Sequence, residues 1–378
     1  MALDAMPLAY TLTGIGVYVQ QLVIALNRVR PDVRLVFPVH SEIPSQALIR
    51  RLIGRNLPKI YRDRIDIQPI WGVSPFGPFS KWAPRAPRPG GYDLYHVTNA
   101  LPLYREFACP KVVTVFDLAW LRVSPNEQIY FQHANALLSM IRKADHVLCI
   151  SSATQTDVVE LAGVPVEKTT VTSLAPRELC RPPETQLVRD ASRRKYSDGY
   201  PYFLNVNQIH PRKNLPRIIA AFGRLRQAGC KHRFIIAGPK RSGTSDVLRA
   251  IEEAGVGDVT RLLGTVTDAT VQELYWGCEA LVCPSLYEGF GLPAIEAMAS
   301  ATPVIASTTG AFPEVIGDAG ILVDPMDVDA IEAGLTEIWN NEGVASRLRA
   351  EGVARASQFS WRDTAERTLA VYERVLHQ

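Results

Sequence analysis

The sequence predicts an α/β protein made of two doubly wound, Rossmann-like domains in series. Strand-like and helix-like segments alternate along residues 1–175, and they alternate again from residue 202 onward. A segment rich in proline and without clear periodicity separates the two series. The length of 378 residues suits two domains or slightly more. Alternation of apolar strands with helices indicates parallel sheets covered by helices on both faces.

The first series contains short apolar runs that predict strands and longer amphipathic runs that predict helices. The predicted strands are residues 2–5, 33–39, 92–97, 111–116, 146–150 and 169–173, and the predicted helices are residues 17–28, 128–144 and 153–162. Two glycines in residues 13–16 predict a turn between the first strand and the first helix. Residues 69–91 combine Pro, Gly and aromatic residues, which predicts a loop-rich region.

The second series follows a predicted connector at residues 175–200. The predicted strands are residues 202–206, 233–237, 260–263 and 280–283, and the predicted helices are residues 216–227, 245–254, 270–277, 294–300 and 361–376. The domain boundaries expected from this pattern are residues 1–175 and 176–360. In such folds ligands bind at the carboxyl ends of the strands, so we expect the ligand in a cleft between the domains.

Composition and charge exclude several classes of function. A hydrophobic content of 47% and a charged content of 21% are ordinary for a soluble globular protein. No apolar run approaches 18 residues and no signal peptide is recognisable at the start, so a cytoplasmic protein is expected. The six cysteines show no metal-ligand spacing and are expected to be free thiols. The net charge of +3 lacks the pattern of a nucleic-acid-binding surface.

The most informative stretch is residues 280–300, which predicts a strand, a glycine loop and a helix. Glu288 lies on the loop, and Glu296 lies a turn into the helix, with Gly289-Phe290-Gly291 between them. The glycines let the backbone approach a ligand closely, and the free N–H groups at the helix start favour an anion. Residues 207–214 form a second strand-to-helix loop, where Arg212 and Lys213 suit a pyrophosphate. An oxygen-rich ligand with phosphates would satisfy both loops.

The stretch from Glu288 to Glu296 resembles the E-x7-E donor site of retaining glycosyltransferases of family 4, which have the GT-B fold. The resemblance extends over about sixty residues, including residues 263–266 before the motif, and residues 302–307, 312–315 and 320–325 after it. Residues 13–18 also resemble the family's Thr-Gly-Ile-Gly-x-Tyr turn. The resemblance implies that the last helix, residues 361–378, crosses back onto the first domain.

The resemblance implies roles for individual residues. The predicted catalytic residues are Glu288, which contacts the transferred sugar, Lys213, which neutralises the leaving diphosphate, and Asp117, which contacts the acceptor. The predicted donor-binding residues are Gly14, Gly16, Arg212, Lys213, Gly289, Phe290, Gly291, Leu292 and Glu296. Glu296 is expected to accept hydrogen bonds from the ribose hydroxyls of the donor. No bound cofactor and no metal ion are expected.

Two departures from the family pattern leave alternatives open. Phe116 stands where many members have a histidine, and it can neither hydrogen-bond through its ring nor exchange a proton. Asn207-Gln208 stands where an arginine beside a glycine is usual, and Arg212 is a candidate to supply that charge. His96, at a second strand end, either faces the cleft or is a satisfied half-buried histidine. Ser151 is expected to cap the helix that follows it.

The predicted function is transfer of a hexose, such as mannose from GDP-mannose, to a saccharide or lipid-linked saccharide acceptor in surface-polysaccharide biosynthesis. UDP-glucose or another nucleotide-sugar is the rival donor. A sugar phosphorylase of similar fold and a non-catalytic, glycosyltransferase-like partner protein remain as alternatives. The second of these is motivated by Phe116 and the absent arginine.

A basic, apolar stretch at residues 48–64 predicts contact with an anionic membrane surface or a lipid-pyrophosphate acceptor. Its cations are Arg50, Arg51, Arg55, Lys59, Arg62 and Arg64. The alternative is a half-exposed segment whose cations face water, and Pro58 interrupts any helix here. Membrane contact would make the protein peripheral on the inner face of the cell membrane.

If this stretch binds membranes, the protein should sediment with anionic vesicles at low salt and not with neutral ones. Each cation near an anionic leaflet contributes about 1 kcal/mol, and salt screens this attraction. Replacing Arg50, Arg51 and Arg55 by Ser should abolish sedimentation and spare hydrolysis of the donor. Wild-type protein that stays in the supernatant with anionic vesicles would show that the stretch is a solvated face.

Overall fold

The computed structural model describes residues 1–3, 8, 14–31, 35–40, 56–57, 65–70, 92–98, 109–123 and 128–377. The chain divides into two compact units. Unit 1 comprises Met1–Leu174 together with Trp361–Gln378, and unit 2 comprises Ala175–Ser360. All six cysteines are free thiols. Within the described part of the chain, no helix is both long and apolar enough to span a bilayer.

Unit 1 contains a seven-stranded sheet in the order β3-β2-β1-β4-β5-β6-β7, with every neighbouring pair parallel. Its strands are β1 (Ala2–Leu3), β2 (Leu35–His40), β3 (Ile65–Ile70), β4 (Tyr95–Val97), β5 (Lys111–Val115), β6 (His146–Cys149) and β7 (Thr169–Val171). Its described helices are α1 (Gly14–Val29), α2 (Ala119–Val123), α3 (Gln128–Lys143), α4 (Ser152–Ala162) and α13 (Trp361–Leu376).

Unit 2 contains a six-stranded parallel sheet in the order β10-β9-β8-β11-β12-β13. Its strands are β8 (Tyr202–Val206), β9 (Arg233–Ala237), β10 (Thr260–Gly264), β11 (Ala280–Cys283), β12 (Val304–Ser307) and β13 (Ile321–Val323). Its helices are α5 (Gln186–Ser197), α6 (Leu215–Gln227), α7 (Thr244–Glu253), α8 (Asp268–Gly277), α9 (Leu292–Ala299), α10 (Phe312–Ile316), α11 (Val328–Asn340) and α12 (Glu342–Ala356). Both sheets reverse strand order at one point, between β1 and β4 and between β8 and β11, as in doubly wound folds.

The apolar strands are buried on both faces because helices cover each side of the sheet. In unit 2 the core includes the rings of Phe203, Phe222 and Phe234, with centroids 6.4 Å apart between the first two and 5.3 Å between the last two. All three are fully buried. The prediction of two doubly wound α/β domains is therefore confirmed.

A buried polar network joins α13 to the sheet of unit 1. His96 Nδ1 lies 2.6 Å from the Tyr372 hydroxyl, and His96 Nε2 lies 2.7 Å from Thr114 Oγ1. The hydroxyl of Tyr18 lies 2.9 Å from the same Thr114 oxygen. Burial lowers the pKa of His96 to about 3, so its ring is neutral at pH 7. Both ring nitrogens have partners, so His96 is a satisfied histidine, and it is fully buried instead of half-buried as expected.

Three sequence predictions of secondary structure are wrong. The predicted connector at residues 175–200 contains α5, whose buried face carries Arg189, Ser192 and Ser197 instead of apolar residues. Strand β3, Ile65–Ile70, was not predicted and extends into the region expected to be a loop. Helix α1 begins at Gly14, so Gly14 and Gly16 lie in its first turn and not in a turn before it. Residues 71–91 and the cations of the basic stretch lie outside the described residues.

The network around His96 predicts that Tyr372→Phe destabilises the protein. The substitution leaves a fully buried imidazole nitrogen without its partner, which costs about 1–3 kcal/mol in the free energy of unfolding. Chemical denaturation of both proteins measures the difference. On the same helix, Glu373→Gln is the control, since its exposed ion pair with Arg30 contributes at most about 1 kcal/mol. Equal changes in the free energy of unfolding for the two substitutions would contradict the proposed contribution of the network to stability.

Candidate functional site

The candidate site lies at the carboxyl ends of β8 and β11, where the strand order of unit 2 reverses. The two strands pair in parallel, with Phe203 opposite Ala280 and Leu204 opposite Leu281. The loop after β8 (residues 207–214) and the loop after β11 (residues 284–291) therefore leave the sheet side by side. Open α/β sheets bind ligands at such positions.

Asn214 ties these two loops together. Its backbone is left-handed, with φ 61°, and its buried side chain donates hydrogen bonds to Pro284 O at 3.0 Å and Pro325 O at 2.6 Å. The backbone N–H of Leu286 also donates to Arg212 O at 2.9 Å. Both loops are thus fixed relative to each other by bonds that do not involve the predicted catalytic side chains.

Lys213 and Glu288 form a buried ion pair between the loops. Lys213 Nζ lies 2.5 Å from Glu288 Oε1, and the two side chains are 9% and 11% exposed. Arg212 lies beside them, with Nη1 3.5 Å from Glu288 Oε2 and 2.7 Å from Tyr287 O. Burial raises the pKa of Glu288, but the positive charges of Lys213 and then Arg212 outweigh it, so the pKa is lowered. The carboxylate is therefore ionised at neutral pH, with two cations facing it.

Two glycines shape the loop that carries Glu288. Gly291 precedes α9 with φ 90°, and a Cβ there would lie 2.4 Å from the ring of Phe312. Gly310 has φ 63°, and a Cβ there would lie 2.5 Å from the carbonyl oxygen of Glu288. That oxygen accepts a hydrogen bond from Ala311 N at 2.9 Å. Larger residues at either position would displace the loop.

The remaining motif residues lie on the same loop and the start of α9. Gly289 and Phe290 are buried, and the ring of Phe290 packs edge-on against Phe359 with centroids 5.7 Å apart. Leu292 is half-buried at the first position of α9. Because the ring of Phe290 packs against Phe359, we expect Phe290 to contact a nucleotide-sugar donor through its backbone atoms.

Glu296 points into a buried ion-pair cluster that the sequence did not reveal. Arg177 Nε lies 2.5 Å from Glu296 Oε1, and Arg177 Nη2 lies 2.9 Å from Oε2, so the guanidinium holds both oxygens. Arg177 Nη1 also lies 2.5 Å from Asp268 Oδ1, and the Tyr275 hydroxyl donates to Glu296 at 3.4 Å. Both Arg177 and Glu296 are over 90% buried. Ribose binding by Glu296 stays a prediction, and it would use lone pairs that Arg177 leaves free.

The predicted residues of unit 1 lie on separate elements. Asp117 accepts a hydrogen bond from Ala119 N at 3.2 Å, at the start of α2, and its contact with an acceptor stays a prediction. The ring of Phe116 packs edge-on against Tyr18, with centroids 5.1 Å apart. Gly14 is exposed, and a Cβ there would meet no described atom within 4 Å. Ser151 caps α4 by accepting from Thr154 N at 3.0 Å, as predicted.

Sequence reasoning missed three residues that shape the site. Arg177 was assigned to an irregular connector, and nothing local links it to Glu296, which is 119 positions away. Asn214 has no role in the sequence analysis, although asparagine is enriched among left-handed residues. Gly310 lies in a short turn after β12, and only its approach to Glu288 shows its role.

Comparison with known proteins identifies both halves of the chain. Residues 12–173 match the family model described as Glycosyltransferase Family 4, and residues 188–355 match the one described as Glycosyl transferases group 1. Over 97% of its length the chain is 29% identical to an O-antigen chain mannosyltransferase B of Escherichia coli, which it covers to 97%. It is 37% identical over 44% of its length to an MMP alpha-(1->4)-mannosyltransferase of Mycolicibacterium hassiacum, of which 41% is covered.

Solved structures agree in fold. Anabaena HepE in complex with UDP and glucose superposes with a TM-score of 0.74 at 18% identity, covering 98% of each chain. A sucrose-phosphate synthase of Thermosynechococcus elongatus superposes with a TM-score of 0.77 at 19% identity, covering 100% of this chain and 98% of that one. Both are GT-B proteins, so the GT-B prediction is confirmed.

The cluster around Glu296 predicts that Arg177→Met destabilises the protein by about 3–5 kcal/mol, because it leaves a buried carboxylate without its partner. Adding Glu296→Gln to this variant should restore most of the loss, because the uncompensated charge is then gone. Denaturant titration gives the three free energies of unfolding. Arg181→Met is the control, since Arg181 is 65% exposed. A double variant no more stable than Arg177→Met would refute charge compensation.

Proposed function

Since this chain belongs to glycosyltransferase family 4, we propose that it transfers a hexose from a nucleotide-sugar to a saccharide acceptor in surface-polysaccharide biosynthesis, with mannose from GDP-mannose as the substrate. The observation that carries the proposal is the buried pair of Lys213 and Glu288, with the partly buried Arg212 beside it, at the strand reversal of unit 2. It joins two cations and one carboxylate at a position where sheets of this type bind phosphorylated ligands.

In the proposed reaction the two cations receive the diphosphate of the donor. Lys213 carries three N–H donors and spends one of them on Glu288 in the structure. When a diphosphate binds, the ammonium group turns its remaining donors toward it, and Arg212 adds a second charge. Negative charge grows on the phosphate as the sugar leaves, so these contacts strengthen in the transition state and lower the barrier.

Glu288 has a complementary role in the proposal. Its carboxylate is ionised and fixed by Lys213, with lone pairs remaining to accept hydrogen bonds from sugar hydroxyls. This contact would orient the hexose for attack by the acceptor hydroxyl on the face from which the diphosphate departs. The departing phosphate would accept the acceptor's proton. In this scheme the anomeric configuration is retained, and the cations of the protein supply the charge that a metal ion would otherwise provide.

The similarity to two mannosyltransferases supports mannose as the transferred sugar. The likeness to HepE, solved with UDP and glucose, concerns the fold alone at 18% identity. A UDP-sugar donor remains the rival. A lipid-linked saccharide is the acceptor that the basic stretch at residues 48–64 would suit, and this would bring the protein to the membrane surface. Asp117 is the residue proposed to contact the acceptor.

A donor panel and two substitutions test the proposal together. Thermal shift with GDP-mannose, UDP-glucose and ADP-glucose should raise the melting temperature for GDP-mannose, because only a ligand of the folded state stabilises it. Lys213→Ala should lower turnover by roughly two to three powers of ten, and Arg212→Ala should be milder. The exposed Lys231→Ala is the matched control.

Each failure of this test has a distinct meaning. A shift with UDP-glucose alone would correct the donor. A larger loss from Arg212→Ala than from Lys213→Ala would reverse the two roles. Binding of a nucleotide-sugar with no transfer by the wild-type protein to any saccharide acceptor tested would favour the non-catalytic alternative.

A further inference from the structure

Three arginines meet on the side of unit 2 away from the donor loops. Helix α5 carries Arg189 and Arg193 four positions apart, which places them on one face of the helix. Helix α12 contributes Arg349. Glu279, directly before β11, lies between Arg193 and Arg349. We call Arg189, Arg193, Arg349 and Glu279 the arginine cluster.

The carboxylate of Glu279, whose side chain is 14% exposed, is already shared by two of these arginines. Arg193 pairs with Glu279 Oε1, and Arg349 Nη2 lies 3.3 Å from Glu279 Oε2. The side chains of Arg193 and Arg349 are each 18% exposed. Arg349 Nη1 also lies 2.6 Å from Glu342 Oε1, and the side chain of Glu342 is 77% exposed. Three arginines are thus accompanied by two carboxylates, of which only Glu279 is largely buried, so the cluster carries an excess of positive charge.

Two donor groups of the cluster are unused. Arg189 is 8% exposed, and it makes no hydrogen bond or ion pair with any described residue. Arg349 Nε is buried and likewise has no hydrogen-bond partner in the described part of the chain. Burial, and then the positive charge of Arg349, lower the pKa of Arg189. The buried, unpartnered Nε of Arg349 and the excess of positive charge both carry a free-energy cost, so the cluster is better satisfied with an anion present.

From this arrangement we infer that the arginine cluster binds a small oxyanion of the phosphate type. Guanidinium groups recognise phosphate oxygens through paired N–H donors, and an anion matches the excess positive charge of the cluster. The site is separate from the donor loops, because Glu279 precedes β11 whereas the donor loop follows it. Four strand residues at about 3.3 Å each separate them by roughly 13 Å. Neither family resemblance nor the proposed transfer reaction requires this second site.

Calorimetric titration with inorganic phosphate, at constant ionic strength set by sodium chloride, tests the inference. Arg189→Gln should raise the dissociation constant at least tenfold, since it removes a charged donor that no other residue uses. Arg347→Gln is the matched control, because Arg347 lies on α12, is 54% exposed and carries the same charge. Lys213→Ala should leave this binding unchanged, and so distinguishes the cluster from the donor loops.

Melting temperatures supply a second readout. In phosphate-free buffer Arg189→Gln should melt no lower than the wild type, because it removes an unbalanced charge and no described hydrogen bond. In phosphate the wild type, Arg347→Gln and Lys213→Ala should each gain several degrees, and Arg189→Gln should not. The inference is overturned if wild type binds no phosphate, if Arg189→Gln binds as tightly, or if Lys213→Ala abolishes binding. It is equally overturned if Arg189→Gln is less stable without phosphate, which would make Arg189 a structural residue.

Discussion

The buried ion pair between Lys213 and Glu288 requires the surrounding loops of unit 2 to hold both side chains in a fixed geometry. Removing two charges from water costs several kcal/mol for each ion, and attraction repays this only when the geometry is held tightly. Neutral groups fix this geometry. The side chain of Asn214 donates hydrogen bonds to Pro284 O and Pro325 O, and the absence of a side chain at Gly310 lets its backbone approach Glu288. A buried ion pair of this kind is weak evidence for a contribution to the free energy of unfolding.

The order of strands explains why these groups meet. Lys213 and Glu288 are 75 positions apart in sequence, but β8 and β11 are neighbours because the sheet grows outward from β8 in both directions. A doubly wound sheet necessarily leaves a gap between the helices at that reversal, and the loops after the two central strands border it. The chemistry of the site therefore depends on topology first and on side chains second.

Much of the fold could be predicted because its signals are local. Strands β8, β9 and β11 were predicted to the residue, since short apolar runs bounded by turn residues mark buried parallel strands. Helix α5 could not be predicted because its buried face carries Arg189, Ser192 and Ser197, so the apolar periodicity of an amphipathic helix is absent. The ion pair between Arg177 and Glu296 could not be predicted because no local sequence pattern encodes a contact across 119 positions. The motif predicts that both glutamates belong to the site, whereas their ion-pair partners are seen only in the structure.

The two glutamates of the motif show how one spacing can produce two physical roles. Glu288 lies on a loop and pairs with the ammonium group of Lys213, while separate backbone hydrogen bonds hold the loop in place. Glu296 lies within α9 and is gripped at both oxygens by the planar fork of Arg177, which also reaches Asp268. An arginine so engaged loses two charge-assisted bonds if its carboxylate turns to a ligand. Substitution at position 296 consequently combines loss of packing with any loss of donor affinity, and only the compensated variant that also removes the charge of Arg177 separates the two effects.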